Sequence, residues 1–410
     1  MTDSTATAEG DLRDLVQVED PAFYVDPFAV FARMRREEPV FWYEPLDTWV
    51  LTRYEDIRYV GRTPRIFSSA QGILLNDIRH QSVIKTFFGQ NAELISTTDP
   101  PRHRELRRYI SPSFSPGSLR AMEEPIRAFA RELIDTIVPG EPIRFVDAIG
   151  AVLPLQAIAL LLGIPSDDVA TLRYWSDEML KMGAALDEEG LAEAARNTAG
   201  MGPFFDEWMV RKLGGDTGEV IPTMLAAKLN GENMSYDNLH IFLRSILVAG
   251  NETTRDFITG SVFAYANHPE QRAALAADPS LGTSAGEECL RWVTPVRGFI
   301  RTATEDTEIR GQTIKAGQHV QMMWMAANRD EEVWSGADMF DVHRPPDPAH
   351  LAFGFGEHAC IGAALARMEG RVFFEELIAR YPNWELAGEP VRPHSVLHNA
   401  FEELPVVFHP

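Results

Sequence analysis

Apolar residues recur at helical spacing along most of the chain, and the stretches where that spacing breaks carry as much information as those where it holds. Over 27–38, Phe28, Phe31 and Met34 fall on one face, with Asp26 in the N-cap position. Residues 40–43 and 49–52 alternate like a hairpin around Leu46 and Asp47. Helical patterns follow over 119–138, 149–163, 167–186, 189–213 and 220–229, with Pro and Gly clusters between them. The longest runs from 235 to 267, and about thirty residues at 1.5 Å each make a rod of roughly 50 Å. Ile241, Leu243, Ile246, Leu247 and Val248 make that rod apolar on several faces, which predicts burial at the centre of the molecule. Residues 281–293 read as helix, and 299–314 as short strands turning at Glu305-Asp306 and Gly311-Gln312. An irregular Gly- and Pro-rich stretch over 328–357 precedes a final helix over 360–381. So long a structureless connection inside a compact fold is normally functional. The pattern predicts a mainly α fold with a small β region, one domain over 25–410 behind a flexible lead at 1–24.

Composition narrows the class. The chain has 410 residues, 45% hydrophobic and 24% charged, which excludes a disordered or collagen-like chain. Its net charge of −22 repels nucleic acid and anionic lipid. Two cysteines, Cys289 and Cys360, make no disulfide framework and suit a reducing compartment. The longest apolar run, 148–164, is broken by Gly150, Pro154, Gln156 and Gly163 and falls short of the ~20 residues that span a bilayer. The N-terminus lacks the basic start and apolar stretch of a secretory signal. The expectation is a soluble cytoplasmic monomer with no membrane or nucleic-acid partner.

The chemistry concentrates in Phe353-Gly-Phe-Gly-Glu-His-Ala-Cys360-Ile-Gly362. The glycines let backbone approach something flat and turn its N–H groups inward. Cys360 is predicted at a helix N-terminus, where the dipole favours thiolate over thiol. A lone thiolate with no second Cys or His pair nearby is a poor zinc site and suits a single axial bond to haem iron. Cys289, on a helix, reads as an inert buried thiol.

This segment resembles the haem-binding signature of the cytochrome P450 family, Phe-Gly-x-Gly-x-His-x-Cys-x-Gly, with every fixed position filled. The resemblance extends through other segments from about residue 25 to the C-terminus, and it implies the family's fold, with haem b between the long central helix and the Cys-ligand helix. It places the axial thiolate on Cys360. Ala249-Gly-Asn-Glu-Thr-Thr254 interrupts the long helix with polar residues, which suggests local loosening where ligand or water approaches the backbone. It matches the family's Ala-Gly-x-(Asp/Glu)-Thr motif, so that Glu252 relays protons and Thr253 holds a water network beside dioxygen.

Residues 99–109 pack four Arg and one His into an acidic chain. His103 and Arg107 are i,i+4 partners there, as are Arg104 and Arg108. The family pattern Asp-Pro-Pro-x-His-x-x-x-Arg makes His103 and Arg107 propionate ligands, and Arg301 and His358 map to the other propionate contacts. Arg104 and Arg108 would then face the proximal surface and attract an acidic electron carrier. In the family a Glu-x-x-Arg pair and a downstream Arg lock the irregular stretch, here Glu288, Arg291 and Arg344, in structural roles.

The resemblance implies a soluble haem-thiolate monooxygenase that inserts one oxygen atom of O₂ into an apolar small molecule, by hydroxylation or oxidative dealkylation. With no flavin or nicotinamide motif in the sequence, its electrons are expected from a ferredoxin and ferredoxin reductase. Pocket candidates are Phe87, Phe88, Ile246, Ala249, Val296, Arg297, Phe299 and Phe401, and the four phenylalanines could equally be ordinary core. Arg297 is either a ligand for a carboxylate substrate or a salt-bridged structural residue. The rival readings are a haem-thiolate sensor or binding protein, which needs no Glu252-Thr253 pair, and a peroxide-driven oxygenase, which needs neither that pair nor a docking surface.

Overall fold

The computed structural model describes residues 9–75, 77, 93–165, 168–183, 188–215, 219–229 and 231–410. Its framework is helical and includes α1 (Phe28–Glu37), α2 (Tyr54–Arg62), α3 (Arg102–Ile110), α4 (Pro116–Asp135), α5 (Val152–Leu162), α6 (Val169–Gly183), α7 (Tyr236–Asn267), α8 (Gly282–Val293) and α9 (Ala363–Arg380). The α1 helix begins one residue later than its pattern suggests. Pro27 occupies the cap without a side-chain hydrogen bond, and Asp26 belongs to the end of the preceding 3₁₀ turn. The pattern over 189–213 is two helices, Glu188–Thr198 and Met201–Arg211, parted at Ala199-Gly200. Leu12, Val16 and Val18, in the stretch set apart as a lead, are buried in one cluster with Phe31 and Met34.

Five strands form the main sheet: β1 (Val40–Tyr43), β2 (Thr48–Leu51), β3 (Phe67–Ser68), β4 (Gly298–Ala303) and β5 (His319–Met323), in the order β1-β2-β5-β4-β3. The β1–β2 hairpin pairs Val40 with Leu51, and β5 lies antiparallel to β4 with Val320 opposite Arg301. Arg301 thus projects from an inner strand, held from both sides.

The α7 helix runs 32 residues, capped by the Ser235 hydroxyl, which accepts from the Asn238 N–H at 3.2 Å. It contributes to one large buried cluster together with α4, α5, α8 and α9. Two glycines set its spacing. A Cβ at Gly250 would come within 2.3 Å of Ile158 on α5, and one at Gly370 on α9 within 2.3 Å of Phe257 on α7. The helical ladder of α7 continues through 249–254, so the expected loosening is absent. Gly250 is there because α5 packs too close for any side chain, which is a reason of contact rather than of helix bending.

The irregular stretch is locked by charge. Arg291 Nε and Nη2 donate to Glu288 at 2.7 and 2.8 Å, and Arg344 Nε donates to the same carboxylate at 3.1 Å. Arg291 also donates to the carbonyls of Asn328, Ala337 and Met339, and Arg344 to those of Ser335, Gly336 and Met339. The Glu288 side chain is fully buried. Glu288→Ala would leave two guanidinium groups without their acid, and a loss of about 3–5 kcal/mol in unfolding free energy is expected. Denaturant unfolding measures it, and a change below about 1 kcal/mol would contradict the assignment.

Candidate haem-thiolate site

Four cationic or donor side chains from three separate segments converge. The α3 helix supplies His103 and Arg107, β4 supplies Arg301, and the loop before α9 supplies His358. The His103 and His358 rings lie 4.2 Å apart. Arg107 Nη1 donates to the Ala359 carbonyl at 2.8 Å and to that of Glu357 at 3.3 Å, tying α3 to the loop. Arg301 is 5% exposed, its Nη1 donates to the neighbouring Ile300 carbonyl at 2.7 Å, and among the described residues it forms no ion pair. Burial lowers its pKa to about 10, with Asp99 opposing. Burial first, then Arg301 and His103, push His358 down to about 3. Among the described residues the buried His103 Nδ1 has no hydrogen-bond partner. A buried cluster so rich in donors and short of acid fits an anion, and the two propionates of a haem would supply that charge.

The sequence reading missed the support behind these groups. The Asp99 carboxylate accepts from both the Ser69 N–H, at 2.9 Å, and the Ser69 hydroxyl, at 2.8 Å, and the Ser68 hydroxyl also bonds to it. Ser69 Oγ lies 3.2 Å from His358 Nε2. No local pattern marks Ser69, because β3 reaches the site only through its pairing with β4.

The loop conformation depends on its glycines. Gly354 and Gly356 have φ of +68° and +78°, and a Cβ at Gly356 would meet the Gly61 carbonyl oxygen at 2.0 Å. Cys360 precedes α9, which starts three residues later than expected, at Ala363. Its N–H donates to the Phe353 carbonyl at 2.9 Å. Burial pushes the Cys360 thiol up, and the N–H groups of Gly362 and Ala363 with the guanidiniums of Arg107 and Arg367 oppose that rise. These N–H donors and guanidinium groups fit a thiolate that would bind a cationic metal.

On α7, Ala249 is exposed at mid-helix between half-buried and buried positions, and Thr253 Oγ1 donates to its carbonyl at 2.6 Å. Glu252 is fully buried. Its Oε1 accepts from Ser176 Oγ on α6 at 3.1 Å and from Asn251 Nδ2 at 3.0 Å, and its Oε2 is ion-paired with Arg255. Burial raises Glu252 to about 7, against the pull of Arg255.

The pocket candidates divide. Ile246, Ala249, Val296 and Phe299 keep some exposure, with Phe299 edge-on to Trp324 at 5.0 Å. Phe401 is 4% exposed and packs on Phe263 at 4.8 Å, under Arg392. Among the described residues Arg297 has no acid at ion-pair distance, contrary to a salt-bridged role. Its Nη1 donates to the Ser395 carbonyl at 2.6 Å, and its guanidinium lies 4.5 Å from the Tyr24 ring centre. Phe87 and Phe88 lie outside the described residues. On the surface of α3, Arg104 is paired with Glu357, while Arg108 is exposed. No helix among the described residues is long and apolar enough to cross a membrane.

Comparison with known proteins decides the family. Linalool 8-monooxygenase of Pseudomonas putida is 35% identical over 405 residues, covering 96% of this chain and 98% of that protein. The chain belongs to the cytochrome P450 family. The family profile, "Cytochrome P450", matches residues 283–397. A methyl-branched lipid omega-hydroxylase of Mycobacterium tuberculosis is 33% identical over 392 residues, 92% of this chain and 90% of its own. The solved structure of cytochrome P450-153 from Novosphingobium aromaticivorans superposes with a TM-score of 0.87 at 30% identity, covering 96% and 99% of the two chains. This P450 is a haem-thiolate oxidoreductase of the monooxygenase class, and the family's cofactor is haem b with a cysteine thiolate on the iron.

Proposed function

We propose that this P450 hydroxylates a small apolar molecule, with Cys360 as the axial ligand and with electrons from a ferredoxin and its reductase. The observation that carries the reading is the pairing, on one turn of α7, of a buried acid, Glu252, with a hydroxyl, Thr253, beside the exposed Ala249. When bound, the haem supplies the redox centre at which dioxygen is reduced and one oxygen atom passes to the substrate. The protein's own part is to hold and protonate. His103, Arg107, Arg301 and His358 hold the propionates, and the N–H groups around Cys360 hold the sulfur as thiolate. Glu252, with an affinity for protons near neutrality, is suited both to take a proton and to give it up. Thr253 Oγ1 already spends its proton on the Ala249 carbonyl, so its lone pairs are left to accept from water.

An apolar substrate is supported by Ile246, Val296 and Phe299 and by relatives named for linalool and methyl-branched lipids. Arg108, exposed on α3, offers a cation for an acidic carrier. The acid–hydroxyl pair stands against a sensor and against a peroxide-driven oxygenase. The test supplies ferredoxin, reductase, nicotinamide and O₂ with terpenoids or branched lipids, after a spectral titration that selects ligands displacing water from the ferric haem. Product that rises in step with electrons consumed is expected. Turnover with peroxide alone, unaided by reductase, would overturn the reading. Arg297→Ala, given that residue's bonds to Ser395 and Tyr24, is expected to lower stability by about 1–3 kcal/mol while leaving the binding ratio of acidic to neutral ligands unchanged. A selective loss of acidic ligands in that titration would instead place Arg297 on the substrate.

A further inference from the structure

We infer that Asp256 and His398 are positioning residues for Glu252: between them they decide how one guanidinium, that of Arg255, is shared between two carboxylates. The inference rests on the proton-carrying role proposed for Glu252. Three residues of α7, Glu252, Arg255 and Asp256, project to one side, because positions three and four apart on a helix are neighbours. Arg255 is ion-paired with Glu252 Oε2 and, through Nε, with Asp256 Oδ1 at 3.2 Å. Both carboxylate side chains are 1% exposed, so neither has water to fall back on. The other oxygen of Asp256 lies 3.0 Å from His398 Nδ1. His398 comes from the C-terminal segment, where it bridges Val296, a pocket candidate, and its side chain retains 16% exposure. A continuous line of polar contacts therefore runs from the acid of the active-site helix to a histidine on a different part of the chain.

Ser176 and Asn251 occupy Oε1 of Glu252, which leaves Oε2 to Arg255. The charges that face Glu252 are Arg255 and Asp256 from its own helix, Asp177 from α6 and His398 from the C-terminal segment. Burial and the two aspartates favour its protonated form, while Arg255 and His398 favour the carboxylate. Arg297 also faces Asp256. The signs of the two outer groups are opposed. Without His398, Asp256 is left unshielded, draws Arg255 toward itself and repels charge on Glu252, so both effects keep the proton on Glu252. Without the charge of Asp256, Arg255 has Glu252 as its remaining close acid and favours the carboxylate.

The experiment follows the carboxylic C=O stretch of Glu252 by infrared difference titration of the holoenzyme, the band being assigned by its loss in Glu252→Gln. Its midpoint is expected to rise by about one pH unit in His398→Ala and to fall by about one in Asp256→Asn, a tenfold change in protonation ratio each way. His398→Asn, which retains a donor in the place of Nδ1, is expected to shift the midpoint less than alanine does, and it carries the test if the alanine variant fails to fold. The pH profile of product formed per electron is expected to move with the band. Shifts in the same direction for the His398 and Asp256 variants, or a band that neither moves, would overturn the inference. Opposed shifts of the band with no change in the coupling profile would uphold the positioning and remove Glu252 from proton delivery.

Discussion

Replacing Cys360 with alanine is expected to abolish the red-shifted carbon monoxide spectrum of the reduced protein and to bring oxygenation down to background. The sulfur has no deputy: Cys289 is buried on α8 with its thiol pushed up to about 12 by burial, and among the described residues no group of metal-ligating side chains comes together elsewhere. The loop around Cys360 is built from backbone, with N–H groups at Gly362 and Ala363 and a left-handed turn at Gly356 packed against Gly61. The variant should therefore fold, and it should keep some porphyrin through His103, Arg107, Arg301 and His358. A protein that retains the native carbonyl spectrum would remove position 360 from the iron.

The second large effect is expected at the acid–hydroxyl pair, and its two members should fail differently. Glu252→Gln keeps the bonds to Ser176 and Asn251 but cannot exchange a proton, and loss of a general acid of this kind costs about a hundredfold in rate. Thr253→Ala removes a hydroxyl that bonds to the Ala249 carbonyl at 2.6 Å, and α7 survives because its ladder does not depend on that side chain. Electron uptake should then continue while peroxide replaces product. Comparing product, peroxide and electrons consumed separates the two outcomes. Coupling that is unchanged in Thr253→Ala would take the hydroxyl out of the reaction.

Sequence alone determined the helical class, the extent of α7, the β1–β2 hairpin and the Cys360 loop, because each is set by residues close together in the chain. A period of 3.6, a serine cap at 235 and left-handed glycines at 354 and 356 act over a few residues, whatever the rest of the chain does. The meeting of His103 and Arg107 with Arg301 and His358 came from the family resemblance, since nothing in their own surroundings marks them as neighbours. Tertiary structure alone decided the rest. Gly250 read as a weak point in a helix and proved to be a contact with Ile158 on α5. Arg297 read as either a ligand for a carboxylate substrate or a salt-bridged residue, and the fold sets it on a carbonyl and an aromatic ring. Arg255, Asp256 and His398 carried no signal, because what a buried charge does depends on which opposite charge lies within about 4 Å, and that distance is fixed only when helix, sheet and C-terminal segment pack together.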